Sequence, residues 1–193
     1  MGALVEDSCR MAHRSLFKRD LAVLPLINQL DKEIDQYYKA IEVECTKVMA
    51  LQAPVAQDLR FLSAVMQLVR DLERIGDYAE DLAEKATKLF IYPTHPCMPD
   101  IEVMFIQTQL MVATSLESLA DLDDKTGQKV KVLDDIVDDV YDRVYELLSQ
   151  QRNIEIAEPI LLLALVIRDM ERMADHATNI GQRVAYIITG ERN

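Results

Sequence analysis

Apolar residues recur at spacings of three and four along most of the chain, the periodicity of amphipathic α-helices that pack into a bundle. The first such segment covers residues 1–20. The second runs from Pro25, which suits the first turn of a helix, to the residue before Pro54. The third runs from Pro54 to Phe90 and predicts a rod about 50 Å long. A rod of that length must pack along helices of similar length.

The same plan repeats after a proline-rich stretch, Tyr92–Pro99, near the midpoint. Three more helical segments follow it: about Asp100–Leu122, a helix after a polar turn at Asp123–Gly127, and a helix from near Ile156 to Thr189, where Gly190 ends it. The pattern therefore predicts an all-α fold of six long helices in two related three-helix bundles. It leaves open whether these form separate bundles or one continuous stack.

The predicted division is a first bundle at residues 1–91, a linker at 92–99 and a second bundle at 100–193. The first apolar stripe opens at Leu4 with no N-capping residue before it. We therefore expect the N-terminal helix to be truncated in this sequence.

A charged motif is repeated in the two halves. Arg70–Ala83 and Arg168–Gly181 are separated by 168 − 70 = 98 positions, and six of fourteen aligned residues are identical. The identities fall mostly on charged residues, whereas the apolar positions keep only their character. A duplicated packing helix is expected to show the reverse, because a core constrains volume more than identity. The repeat therefore predicts a functional site in each half.

Each half also carries two acid pairs spaced four residues apart, so that both members of a pair lie on one helical face. Every one of these acids directly follows, or lies beside, a residue of the apolar stripe. The first half has Asp31, Asp35, Glu73 and Asp77, and the second has Asp134, Asp138, Glu171 and Asp175. Carboxylates gathered along one helix seam repel each other unless a cation lies between them. Such oxygen donors suit Fe, Mn, Zn or Mg, so these eight residues are candidate metal ligands.

Other interpretations of the acids remain open. They could be solvated surface acids that are neutralised by Arg70, Arg74, Arg168 and Arg172, as in a metal-free helical adaptor. They could also serve a metal-dependent enzyme, although no separate general base can be named. We interpret His176, the neighbour of Asp175, as a hydrogen-bonded or solvated histidine and not as a ligand.

Composition narrows the class of protein. The net charge of −12 makes direct binding to nucleic acid or anionic lipid unexpected. The apolar run Ile160–Ile167 is too short to cross a bilayer, so no membrane insertion is expected. Three widely spaced cysteines without a CxxC pair fit a reducing compartment.

At these motifs the sequence resembles the PhoU family of phosphate-uptake regulators. The matching segments, in the family's order, are LDKEID (30–35), LQAPVAQDLRFL (51–62), DLERIGDYAEDLAE (71–84), LDDIVD (133–138), DMERMADHATNIGQ (169–182) and ITGE (188–191). The likeness covers nearly the whole chain, and the doubled DxER signature is specific.

The resemblance implies two three-helix bundles, each able to hold a multinuclear metal cluster on the acids named above. It implies a cytoplasmic, dimer-forming regulator without enzymatic activity that represses the phosphate-starvation response when phosphate is plentiful. It also implies two partners, the ATPase subunit of the phosphate ABC transporter and a membrane sensor histidine kinase.

Overall fold

The structure is a computed structural model that describes residues 1–151 and 157–191, with the backbone alone at 124 and 127. Over these residues it contains helices and no strand, which confirms the predicted all-α fold. The six helices are α1 (Gly2–Lys18), α2 (Leu24–Gln52), α3 (Ala56–Leu89), α4 (Met98–Asp121), α5 (Asp124–Ser149) and α6 (Ala157–Thr189). A short 3-10 turn, Leu21–Val23, joins α1 to α2.

The helix ends follow local chemistry. Pro25 lies in the first turn of α2, and Ala53 ends that helix in the left-handed conformation at φ 44°. Gly190 ends α6 at φ 81°, as predicted. Helix α5 begins at Asp124 and not after Gly127, because the Asp123 side chain accepts hydrogen bonds from the amides of residues 125 and 126. Ile156, the predicted start of α6, lies outside the described residues.

The two halves pack into one body. Helices α1, α2 and α3 contact one another, as do α4, α5 and α6. Helices α3 and α6 pack along each other more extensively than any other pair in the described chain, and α1 also touches α4. Buried apolar residues from both halves belong to one continuous core. None of the helices in the described ranges is both long and apolar enough to cross a membrane.

A close helix contact positions α2 against α3 in the first half. A Cβ atom added to Gly76 would lie 3.0 Å from Cδ1 of the buried Ile34, so the helices approach where Gly76 has no side chain. The repeat offsets, 98 for α3 and 103 for α2, place Ala174 and Val137 at the corresponding positions. Both residues are buried. Compared with the first half, the second half therefore has one more carbon on α6, at Ala174, and one fewer on α5, at Val137.

We predict that Gly76→Ala and Ile34→Val are energetically coupled. Ile34→Val alone should cost about 0.5–1.5 kcal/mol. Gly76→Ala should be more favourable in the Ile34→Val background by about 1 kcal/mol, because the shorter side chain leaves room for the new methyl group. Urea unfolding of the wild type, both single variants and the double variant measures this coupling. Additive free energies of unfolding would show that the two positions do not limit each other.

Candidate metal-binding sites and the contact between halves

The first acid quartet, Asp31, Asp35, Glu73 and Asp77, lies along the contact between α2 and α3. All four side chains are half-buried. Burial raises the pKa of Asp77 to about 6, and the charge of Glu73 adds to the effect. Burial and then the charge of Asp35 raise the pKa of Asp31. Burial is also the largest cause of the raised pKa of Glu73, and the charges of both α2 aspartates add to it. The α2 and α3 carboxylates are therefore close enough to repel one another.

The second quartet, Asp134, Asp138, Glu171 and Asp175, occupies the equivalent contact between α5 and α6. Burial raises the pKa of Asp134, followed by the charges of Asp138 and Asp175. The pKa of Glu171 is raised by burial and then by Asp175. Asp138 is the exposed member, yet its pKa is also raised, first by partial desolvation and then by Asp175. Each quartet thus forms a local cluster of negative charge.

One arginine neutralises part of each cluster in the same way. Arg74 Nη1 lies 3.1 Å from Asp77 Oδ2, and its Nε lies 3.5 Å from Glu73 Oε2. Arg172 Nη1 lies 3.0 Å from Asp175 Oδ2, with its Nε 3.1 Å from Glu171 Oε2. Lys39 Nζ also lies 2.7 Å from Asp35 Oδ2 in the first half. The arginines therefore serve as internal counter-ions of the quartets.

The donor chemistry of the quartets fits hard or borderline cations. In the described part of the chain, however, no three His, Cys, Asp or Glu side chains are arranged as they stand to hold one metal ion. In each half an arginine already pairs with two of the four carboxylates, so a cation would compete with it for them. Metal ligation by these eight residues therefore stays a prediction. The structure does place each quartet along one contact between two helices.

The raised pKa of Asp77 predicts a pH dependence of stability in the absence of metal. The folded carboxyl titrates near pH 6 and the unfolded one near 3.8, so the folded protein binds the extra proton between these values. Lowering the pH through 6 therefore stabilises the folded state. Partial exposure reduces the two-unit shift to an effect of about 1 kcal/mol.

The pKa of His95 is lowered by burial, so acidification through that group destabilises the fold. Because His95 is present in both proteins, its effect cancels when the wild type is compared with Asp77→Asn. Thermal unfolding in EDTA at about pH 7.5 and about pH 5.5 should give a difference between the two proteins of roughly 2–4 °C. The wild type should gain more on acidification. An equal response of both proteins would contradict a raised pKa at Asp77.

A different set of polar residues joins the two halves. Asp71, which is 9% exposed, extends from α3 towards α6, where its Oδ1 lies 2.8 Å from His176 Nδ1 and 3.5 Å from Asn179 Nδ2. His176 is therefore hydrogen-bonded, one of the two forms expected from the sequence. Its ring also lies 6.0 Å from that of Tyr78, the residue that corresponds to it in the first half.

The internal repeat produces a reciprocal contact. Asp169 corresponds to Asp71 and extends from α6 towards α3, where Lys85 Nζ lies 2.8 Å from its Oδ2. Lys85 Nζ is also 3.1 Å from Asp81 Oδ2. Burial is the largest cause of the raised pKa of Asp169, and Lys85 opposes it. The side chains of Lys85 and Asp169 are only 16% and 10% exposed.

These two contacts explain part of the repeated motif. Asp71 and Asp169 are identical in the repeat because each binds the opposite half, and they do not belong to the acid quartets. Sequence reasoning assigned the whole motif to one site and missed this second role. Helical geometry contains a usable signal, since a residue two positions before Glu73 points about 200° away from it.

We predict that Lys85→Met destabilises the chain by about 3 kcal/mol, because Asp169 is left as a buried charge without its partner. Lys88→Met, an exposed lysine one turn further along α3, is the matched control and should change stability by less than about 0.5 kcal/mol. Adding Asp169→Asn to Lys85→Met should recover much of the loss. Chemical unfolding measures all four proteins. Equal effects of the two lysine substitutions would show that the contact between Lys85 and Asp169 contributes little.

Two repeated three-helix halves, each with a carboxylate quartet between its second and third helices, define an all-α protein with duplicated acidic faces. The sequence model described as the PhoU domain matches residues 1–86 and 101–184. The chain belongs to the PhoU family.

Individual relatives are similar to this chain along nearly all of its length. A phosphate-specific transport system accessory protein PhoU homolog from Synechocystis is 61% identical over 193 residues, covering 100% of this chain and 86% of the relative. A protein of the same description from Deinococcus radiodurans is 32% identical, with 97% of this chain and 89% of the relative covered. The crystal structure of PhoU from Pseudomonas aeruginosa superposes with a TM-score of 0.93 at 30% identity, over 99% of this chain and 93% of that one.

Proposed function

We propose that this protein is a cytoplasmic accessory protein of a phosphate transport system that represses the phosphate-starvation response when phosphate is plentiful. The observation that carries the proposal is the 61% identity, along the entire chain, to a relative described as a phosphate-specific transport system accessory protein. A structure described as the phosphate transport system regulatory protein PhoU from Streptococcus pneumoniae adds support, with a TM-score of 0.86 at 26% identity over 100% of this chain and 91% of that chain.

We propose binding, and not catalysis, as the activity. The partners are the ATPase subunit of the phosphate ABC transporter and the phosphate-responsive sensor histidine kinase, and the protein acts as a homodimer. The acidic helix faces support this role because long helices present flat, rigid surfaces that suit protein partners. A metal-dependent enzyme using the same acids is the alternative that a turnover screen with phosphate esters would detect.

Each quartet would hold a metal cluster, made of Fe, Zn, Mn or Mg. In the first half the ligands would be Asp31, Asp35, Glu73 and Asp77, and in the second Asp134, Asp138, Glu171 and Asp175. The ions would supply the positive charge that cancels carboxylate repulsion. Arg74 and Arg172 would then lose their carboxylate partners and extend into solvent. The charge presented on each seam would therefore differ between the metal-loaded and metal-free protein.

A metal-free adaptor is the second candidate, because Arg74 and Arg172 already neutralise part of each quartet. The two candidates differ in bound metal and in its effect on partner binding. Both quantities can be measured on the purified chain.

Removing one quartet should remove the metal of one half. The test variant carries Asp31→Asn, Asp35→Asn, Glu73→Gln and Asp77→Asn. The control variant makes the same change in charge at exposed acids outside the quartets, with Glu44→Gln, Asp58→Asn, Glu84→Gln and Glu117→Gln. Elemental analysis should show about half the wild-type metal in the test variant, because four of the eight proposed ligands are gone, and the full amount in the control. Circular dichroism checks that both remain helical.

Equal metal in the two variants would contradict the proposed first site. Wild-type protein without bound metal, even after reconstitution with each of the four ions, would favour the metal-free adaptor. Loss of helix in the test variant alone would mean that the acids are structural, because removing repelling charges is otherwise expected to preserve the fold.

Partner binding tests the regulatory assignment separately. The wild-type chain should retain the phosphate-transporter ATPase subunit in a pull-down, and the quartet variant should retain less in the presence of metal. The control variant should behave as the wild type. A strain that lacks its own protein of this family should regain repression of a phosphate-starvation reporter with the wild-type chain. Failure to retain the ATPase and to restore repression would refute the proposed function, whatever the metal content.

A further inference from the structure

A cavity of about 360 Å³ lies at one end of the contact between the two halves, away from the residues of both quartets. Its walls come from the last turns of α1 and α3, the linker, and the first turns of α4 and α6. We call it the seam cavity. Its main apolar lining consists of Leu16, Phe17, Phe90, Tyr92, Met98 and Leu163. This volume and this apolar, aromatic lining are those of small-molecule sites.

One lining cation has no carboxylate partner among the described residues. Arg19 lies just after α1 at φ 53°, with its guanidinium carbon 5.0 Å from the centre of the Phe90 ring. Its Nη2 lies 3.5 Å from the Tyr92 carbonyl oxygen, at the limit of a hydrogen bond. Neighbouring cations are paired, since Arg14 lies 2.5 Å from Asp20 and Lys18 lies 2.8 Å from Glu102. Arg19 is thus held over an aromatic ring with donors left to use.

Three other polar side chains of the lining already have partners. Glu102 contacts both Lys18 and His13, the latter at 3.1 Å. The Tyr92 hydroxyl donates to Glu158 Oε2 at 2.6 Å. His95 Nδ1 lies 2.8 Å from Cys97 Sγ. An entering molecule therefore meets apolar walls, the Thr94 hydroxyl at the rim and one positive charge without a carboxylate partner.

We propose that the seam cavity binds a small amphiphilic carboxylate, whose apolar body packs on the aromatic lining and whose carboxylate pairs with Arg19. Arg19 is exposed at the edge of the cavity, and its guanidinium fork suits a carboxylate in two-point contact. Because the walls belong to both halves, the bound molecule stabilises the arrangement in which they are packed together. The site is separate from the metal and phosphate roles proposed above and does not rest on them.

The chain contains no tryptophan, so a single introduced tryptophan reports on one location. Thr94→Trp places the reporter on the exposed linker at the rim of the cavity. Tyr145→Trp places a control reporter on the exposed side of α5, outside the cavity lining. The probes are octanoate, octanol and octylamine, which share an apolar chain and differ in the charge of the head group. Each is titrated into the full chain.

Octanoate should change the fluorescence of Thr94→Trp saturably, with a Kd below about 1 mM, and leave Tyr145→Trp unaffected. Octanol and octylamine should bind more weakly. In the Thr94→Trp background, Arg19→Gln should weaken octanoate binding at least about tenfold, whereas Arg19→Lys should weaken it less, because lysine keeps the charge but not the two-point fork. Arg14→Gln, which removes a paired arginine of α1, is the matched control and should leave the Kd unchanged.

Four results would overturn the proposal. These are the absence of saturable octanoate binding, equal binding of all three probes, an unchanged Kd in Arg19→Gln, and an equal response from the Tyr145→Trp reporter. Circular dichroism of each variant separates loss of the site from loss of the fold.

Discussion

The packing of α3 along α6 is the constraint on which the rest of the molecule depends. It joins two halves whose three helices already contact one another. It also buries Asp71 of α3 and Asp169 of α6, each of which extends towards the other half. Because Asp71 finds its partner on α6 and Asp169 finds its partner on α3, either helix sliding along the other would leave a buried carboxylate unpaired. The seam therefore sets the register in which all other surfaces are presented.

The acid quartets differ from Asp71 and Asp169, because part of their charge has no partner. Their carboxylates lie on the seam between the second and third helix of each half, partly shielded from water and close enough to raise one another's pKa. A fold selected for stability alone would replace such acids or pair them fully. Here one arginine serves two carboxylates in each half, and Lys39 pairs with Asp35 in the first half. The remaining negative charge of each quartet is unbalanced. The repetition of this arrangement at matching positions gives the metal proposal its physical basis.

Much of this could be predicted from the sequence, for reasons that individual residues make plain. The spacing of Ile27 and Ile34 predicted a buried stripe because a helix returns to the same face every three to four residues. The convergence of the quartets followed from their position beside that stripe. The His176 partner could not be predicted, because Asp71 lies 105 residues away and only the packed halves bring them together. The start of α5 was placed too late because an aspartate before a polar run fits a turn as well as a helix cap.

The seam between the halves also bears on how the duplicated chain has diverged. Within each half, matching positions hold residues of the same kind: Ile34 and Gly76 in the first half correspond to Val137 and Ala174 in the second. At the contact between the halves, matching positions hold different residues. Tyr78 corresponds to His176, and Lys85 corresponds to Arg183. A molecule assembled from two identical copies of the first half would offer Asp71 a tyrosine where it now has an imidazole. The symmetry of the repeat is thus broken at the contact between the halves, and the two halves are not equivalent there.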